Sequence, residues 1–99
     1  MKPKLFVLKM PFEDGPNKSW ICSHCAMIEG ALLVNKHWES KVDMHRLDFP
    51  KPRKVLVELL GEDKQWLPVL VLPDGETLTD PTEIINCLAE KYGGAAVHP

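Results

Sequence analysis

LPVLVLPDGETLTDPTEIINCLAEKYG, residues 67–93, sets out half of a fold in one reading. Leu67 to Leu72 is an unbroken apolar run entered through Pro68, the pattern of a strand buried on both faces. Pro73-Asp74-Gly75 is turn chemistry and Glu76 to Thr79 is a short strand, so the two strands should form a hairpin. Asp80-Pro81-Thr82-Glu83 then opens a helix, with an acidic N-cap, proline at the first helical position and glutamate at the third for a capping box. Ile84, Ile85, Leu88, Ala89 and Tyr92 share one face of that helix, and Gly93 stops it. Residues 93–99 read as a flexible tail.

Upstream, Lys4 to Lys9 holds the apolar run LFVL, again a strand buried on both faces. MPFEDGPNKSW follows, dense in Gly, Pro and Asn, and reads as a long loop of the kind that often carries function. From Ser23 to Trp38 the spacing predicts a helix, with Cys25, Ile28 and Leu32 on one stripe and Met27, Ala31 and Val34 widening it. Val42 to Asp48 alternates loosely, as an edge strand does. Lys51-Pro52-Arg53 opens a short helix to about Leu60, ended by Gly61. The order β-α-β-α-β-β-α makes residues 1–99 a single α/β domain, a central sheet with helices on both faces.

A chain of 99 residues can bury roughly two-thirds of its unfolded surface, enough for one core without disulfide staples. Twelve basic residues against fourteen acidic ones leave no positive patch for nucleic acid. No segment is long enough to span a membrane. The opening MKPKLFVLKMPF has too short an apolar run, and no cleavage site, for a signal peptide. Three cysteines in such a chain argue against a disulfide scaffold and for chemical or metal-binding use, with the cytoplasm as the expected compartment.

The remaining motif is WICSHC, Trp20 to Cys25. Cys22 falls at the start of the first helix and Cys25 one turn in. A helix start offers unpaired N–H groups and a partial positive charge, both of which stabilise a thiolate. A protonated His24 would add to that. Cys25 shares the apolar stripe and should face inward, whereas Cys22 precedes it and should be reachable, so Cys22 is the expected attacking thiol and Cys25 the resolving one. A metal site and a pair of purely structural thiols are the competing readings. Tetrahedral zinc normally takes four protein ligands, and His37, His45 and His98 are scattered along the chain.

With WICSHC after the first strand and the 67–93 stretch at the end, the chain resembles a stand-alone thioredoxin-fold protein. It is most similar to glutaredoxins and to the N-terminal domain of glutathione S-transferases. It also resembles a small group of uncharacterised bacterial thioredoxin-like proteins with a KLFVLK opening. The resemblance spans about Lys4 to Tyr92 and implies a mixed four-stranded sheet and a cis peptide before Pro68. It also implies that the Leu67 backbone faces the thiols, ready to pair with a peptide or with glutathione.

The departures are specific. Ser23 follows the first cysteine where glutaredoxins usually have proline. In transferases the segment matching Thr79-Asp80-Pro81 holds the γ-glutamyl end of glutathione. Asp80 fits the acidic place there, but Pro81 occupies the hydroxyl's place, and Thr82 could substitute only at a different angle. These 99 residues leave no room for the helical second domain of a transferase, so transferase activity is not expected of them.

Trp20 reads equally as an aromatic platform for substrate or as a pin for the long loop. Lys9, Lys18 and Arg53 read as solvated charges, or as partners for glutathione carboxylates. Cys87 should be partly exposed on the last helix, whose face in transferases meets the second domain and here could meet a second copy of the chain.

The expectation is a cytoplasmic thiol–disulfide oxidoreductase acting on a disulfide-containing protein or small thiol substrate. It requires no cofactor and has Cys22, Cys25 and His24 as catalytic residues. Trp20, Leu67, Pro68, Thr79 and Asp80 are the expected substrate-binding residues. A glutathione-dependent reductase and a non-catalytic metal-binding or protein-interaction module remain open beside it.

Overall fold

Leu5-Phe6-Val7-Leu8 has no polar residue to turn outward, and the strand it forms lies inside the sheet with both faces covered. The computed structural model describes Met1–Pro99. Its order is β1 (Lys4–Leu8), β2 (Phe12–Glu13), β3 (Ser19–Trp20), α1 (Ser23–Val34), a 3₁₀ turn (Lys36–Ser40), β4 (Asp43–Leu47), α2 (Lys54–Leu60), β5 (Val69–Val71), β6 (Thr77–Leu78) and α3 (Pro81–Tyr92). Strand β1 pairs parallel with β4 and antiparallel with β5, and β6 pairs antiparallel with β5. The product is an α/β domain with three helices and a mixed four-stranded sheet in the order β4-β1-β5-β6.

Side chains alternate across β1 as the pleat requires. Leu5 and Val7 pack with Cys25, Ile28 and Leu32 of α1 and with Ile84, Ile85 and Leu88 of α3. Phe6 goes to the opposite face, against Leu56 of α2 and Val69 of β5. No helix is long and apolar enough to cross a membrane.

The α3 start forms as the sequence indicates, with Pro81 in the first turn and the Asp80 carboxylate accepting from the Glu83 N–H at 3.0 Å. Only that half of the capping box is made, because the exposed Glu83 side chain makes no return bond to Asp80. Helix α1 is shorter than its apolar period suggests. It ends at Val34, where Asn35 turns its side chain back to donate to the Ala31 carbonyl, and the chain tightens into the 3₁₀ turn that buries Trp38. Met27 and Val34 do not widen the buried stripe. Val34 is 71 % exposed, because only the Cys25-Ile28-Leu32 line meets the sheet and α3. Val42 is buried just before β4, which is the edge strand expected of it.

Two differences have causes outside local sequence. The loop after β1 folds back on itself as a ribbon, with Phe12 opposite Trp20 and Glu13 opposite Ser19. The stretch after Gly93 is tied down rather than frayed. Asn35, 4 % exposed, donates to the Ala95 carbonyl at 3.2 Å and accepts from the Ala95 N–H at 2.7 Å. The Trp38 indole donates to the Gly93 carbonyl at 2.8 Å, and the Val97 N–H donates to the Asn86 side chain at 3.0 Å. These side chains satisfy backbone groups that would otherwise need water.

Registers bring the key segments to one end of the sheet. Leu8 closes β1 opposite Leu47 of β4, so the loop to Cys22 and the loop through Phe49 leave the same edge. Strand β5 runs antiparallel to β1, with Val69 opposite Phe6, so Leu67 and Pro68 enter there too. Strand β6 then returns to that end before Asp80.

Candidate functional site

Cys22 is the N-cap of α1, with extended backbone (φ −83°, ψ 116°), and its sulfur accepts from the Cys25 N–H at 3.2 Å. A sulfur at that position takes the place of the usual capping oxygen and fills one of the orphan donors of the first turn. Its own N–H donates to the Met10 sulfur at 3.2 Å, which ties the helix start to the loop leaving β1. Cys22 is half-buried and Cys25 is fully buried; neither is in a disulfide.

Cys25 accepts from the Leu8 N–H at 3.4 Å, one turn into α1 and directly over the end of β1. Burial pushes its thiol from 9.0 up to about 12; the Leu8 bond works against this, and the Cys22 contact and the Glu29 charge add to it. The asymmetry expected from the stripe is therefore present in the geometry. One sulfur is within reach of solvent at a helix start, and the other is sealed behind it.

His24 is exposed on the first turn and makes no hydrogen bond or ion pair with the sulfurs. Trp20 pins the loop through its indole N–H, which donates to the Asp14 carbonyl at 2.8 Å, while its ring stays 46 % exposed under the Lys18 ammonium. Pro68 is buried, the Leu67–Pro68 peptide is cis, and Leu67 packs against the cluster that holds Cys25. The Leu67 N–H and C=O have no hydrogen-bond partner in the chain. Thr79 and Asp80 are exposed at the start of α3, and one Asp80 oxygen is engaged in the cap. Cys87 is half-buried and its thiol is raised, mainly by burial. No three His, Cys, Asp or Glu side chains converge on a point that could hold a metal ion.

Arg53, read from sequence as a solvated charge, is instead half-buried, with its guanidinium donating to the Gln65 carbonyl at 2.7 Å and the Phe49 carbonyl at 2.6 Å. Its backbone N–H donates to the Gln65 side chain at 2.6 Å. The guanidinium also lies 5.7 Å from the centre of the Phe49 ring, which stacks on Phe12 at 4.5 Å. Desolvation lowers its proton affinity, and the charges of Cys25 and then Cys22 raise it. No local signal marks this residue, because its partners come from two loops that meet only in the fold. Beside it a cavity of about 510 Å³ is lined by Phe49, Lys51, Gln65, Trp66 and Leu67. A larger hollow of about 860 Å³ lies between α2 and the loop after it, among Lys54, Glu58, Glu62 and Asp63, and has no thiol in its lining.

A family model described as "Protein of unknown function (DUF3088)" matches residues 2–96. Neither the curated proteins nor the solved structures give a match.

Proposed function

The chain belongs to the DUF3088 family, whose function is unknown, and we propose that it is a thioredoxin-like thiol–disulfide oxidoreductase with Cys22 as attacking and Cys25 as resolving thiol. The carrying observation is the inequivalent pair: a half-buried sulfur that caps α1 by accepting from the N–H of Cys25, whose own sulfur is fully buried one turn in. The strand order β4-β1-β5-β6, with β1 parallel to β4 and antiparallel to β5, supports the thioredoxin-like topology.

The chemistry follows from the positions. The Cys22 thiolate attacks one sulfur of a substrate disulfide; the substrate S–S bond breaks and the departing thiolate takes up a proton. The Cys25 thiol then loses its proton and attacks the Cys22 sulfur. The Cys22–Cys25 bond forms, and the second substrate thiolate leaves with a proton. Two electrons pass from the cysteine pair to the substrate, and the reverse sequence oxidises a substrate dithiol.

Substrate docks against the backbone of Leu67, just ahead of β5, whose unpaired N–H and C=O suit a short stretch of extended peptide. Trp20, Ile21 and Trp66 are exposed around this end of the sheet, which suits a polypeptide with apolar side chains beside its disulfide. Glutathione is the second substrate class, with the second oxygen of Asp80 offered to its amino end. The reaction requires no cofactor, and the cytoplasm is the proposed compartment.

The test is reduction of a model disulfide peptide under excess substrate. The protein should lose two thiols per chain as the Cys22–Cys25 disulfide appears. Cys25→Ser should stop at a covalent Cys22–peptide adduct. Absence of that adduct in Cys25→Ser would refute the assignment of Cys22.

A further inference from the structure

Of the four methionines and three cysteines in the chain, one methionine and two cysteines meet at the start of α1. Thiol–disulfide exchange uses only the cysteines. The Cys22 N–H donates to the Met10 sulfur at 3.2 Å, the Cys25 N–H to the Cys22 sulfur at 3.2 Å, and the Leu8 N–H to the Cys25 sulfur at 3.4 Å. Met10 and Cys22 both pack against the cluster that contains Cys25, and both are half-buried. A thioether sulfur is only a weak acceptor, so the hydrogen bond alone gives little reason for a sulfur at position 10.

The bond does fix where that sulfur is. The N and Sγ of one cysteine stand at most about 4 Å apart in any staggered rotamer. With Met10 Sδ at 3.2 Å from the Cys22 nitrogen, it lies within about 7 Å of the Cys22 sulfur. Two sulfurs bound to one ion at about 2.3 Å each stand up to about 4.6 Å apart. The three torsions of methionine cover the difference.

Two thiols and a thioether are soft donors, and soft donors select Cu(I). Zinc normally takes four ligands, and no histidine or carboxylate converges with the pair to complete a tetrahedron. A monovalent ion also suits the charge. With both thiols ionised it leaves the site one net negative charge, which the positive end and free N–H groups of α1 favour. Burial pushes the Cys25 thiol up to about 12, so at neutral pH its proton yields to a cation that binds sulfur strongly.

We propose that Met10, Cys22 and Cys25 form a Cu(I) site at the start of α1, with the two thiolates as its main ligands and the Met10 thioether as the third. Binding releases two protons to solvent and forms two thiolate–copper bonds and one thioether–copper bond. Copper stays cuprous, so no electron is transferred. The site needs only free thiols and stands apart from the oxidoreductase reading. The two uses exclude one another on a single chain. When a substrate disulfide takes two electrons from the pair, the Cys22–Cys25 bond forms, both thiolate ligands are lost and the ion is released.

The experiment is an anaerobic titration of the intact reduced protein, carrying Cys87→Ala, with Cu(I) against bathocuproine disulfonate as the coloured competitor. One Cu(I) per chain should leave the chelator and stay on the protein in excess glutathione. Copper X-ray absorption should count three sulfurs around the ion. Met10→Leu, close to the parent in volume, should keep the fold and both free thiols. It should bind Cu(I) at least about tenfold more weakly, since removing even a partner outside the coordination shell costs that much, and the sulfur count should drop to two. Cys22→Ser should abolish the binding. Equal affinity in Met10→Leu, or only two sulfurs around copper in the parent, overturns the proposal, and the second measurement holds whether or not the variant folds. Surrender of the ion to glutathione also overturns it, because any free dithiol would do as much. None of these results touches the oxidoreductase reading, which fails instead if Cys25→Ser forms no peptide adduct.

Discussion

Alkylation at pH 8 should separate the three cysteines by their surroundings. An ordinary exposed thiol near 8.5 is about one-quarter ionised at that pH. Cys25, pushed up by burial to about 12, is ionised in about one part in 10⁴, roughly two-thousandfold less. Only thiolate reacts with iodoacetamide, and Cys25 is also fully buried, so it should react only through opening of the fold. Cys87, half-buried and raised by desolvation, should fall between Cys25 and Cys22. A timed iodoacetamide pulse, followed by peptide mass spectrometry, reads all three positions at once. The expected order is Cys22, then Cys87, then Cys25, with Cys25 slower than Cys22 by at least about a thousandfold. In strong denaturant the three rates should converge. Comparable rates for Cys25 and Cys22 in the folded protein would refute the division of labour between the sulfurs.

The same burial has a stability consequence with a definite sign. A thiol whose folded value lies above its unfolded one stabilises the fold fully below about 9 and loses that contribution as pH rises from 9.0 toward about 12. Urea midpoints should therefore fall across that alkaline window, and fall less in Cys25→Ala measured against its own neutral value. Gly94→Ala should destabilise by about 2–3 kcal/mol, because Gly94 sits at φ +113° and a Cβ there runs into Asn35 Oδ1, the atom that clasps Ala95. Gly30→Ala, in the exposed middle of α1 where a Cβ meets nothing, should stabilise by about 0.5–1 kcal/mol and raise Tm by a few degrees. Asp80→Ala should cost about 1 kcal/mol through loss of the bond to the Glu83 N–H. If it also abolishes glutathione reduction while peptide disulfides are still reduced, the second substrate class uses that carboxylate.

The features that lie close together in the chain were legible in the sequence. LFVL has no polar face, so β1 had to be interior; Asp80-Pro81-Thr82-Glu83 carries its own cap; Cys25, Ile28 and Leu32 share a stripe whatever packs on them. Each of these is decided within a few residues. The features that escaped depend on partners far along the chain. Nothing in Gly94–Pro99 announces a dock, because its partner Asn35 is 60 residues from Ala95. Asn35 itself also ends α1, overriding an apolar period that runs on to Trp38. The ribbon of β2 and β3 has two residues per strand, too few to show alternation. Arg53 looked like one more surface cation because the Phe49 and Gln65 carbonyls that hold it are brought together by the fold. The thiol spacing was plain from sequence, whereas the anchoring of Arg53 required the structure.

The most direct test of the account is a thiol count at redox equilibrium. Reduced protein is equilibrated across a series of reduced-to-oxidised glutathione ratios and quenched in acid. Its free thiols are then counted by mass, for the parent and for Cys22→Ser. The account predicts a single two-electron transition in the parent, with a Cys22–Cys25 disulfide replacing two thiols and Cys87 unchanged. That transition should be lost in Cys22→Ser. If Cys22 stays free throughout, or carries only glutathione with no Cys25 bond at any ratio, the pair is not a redox couple and the central claim is contradicted.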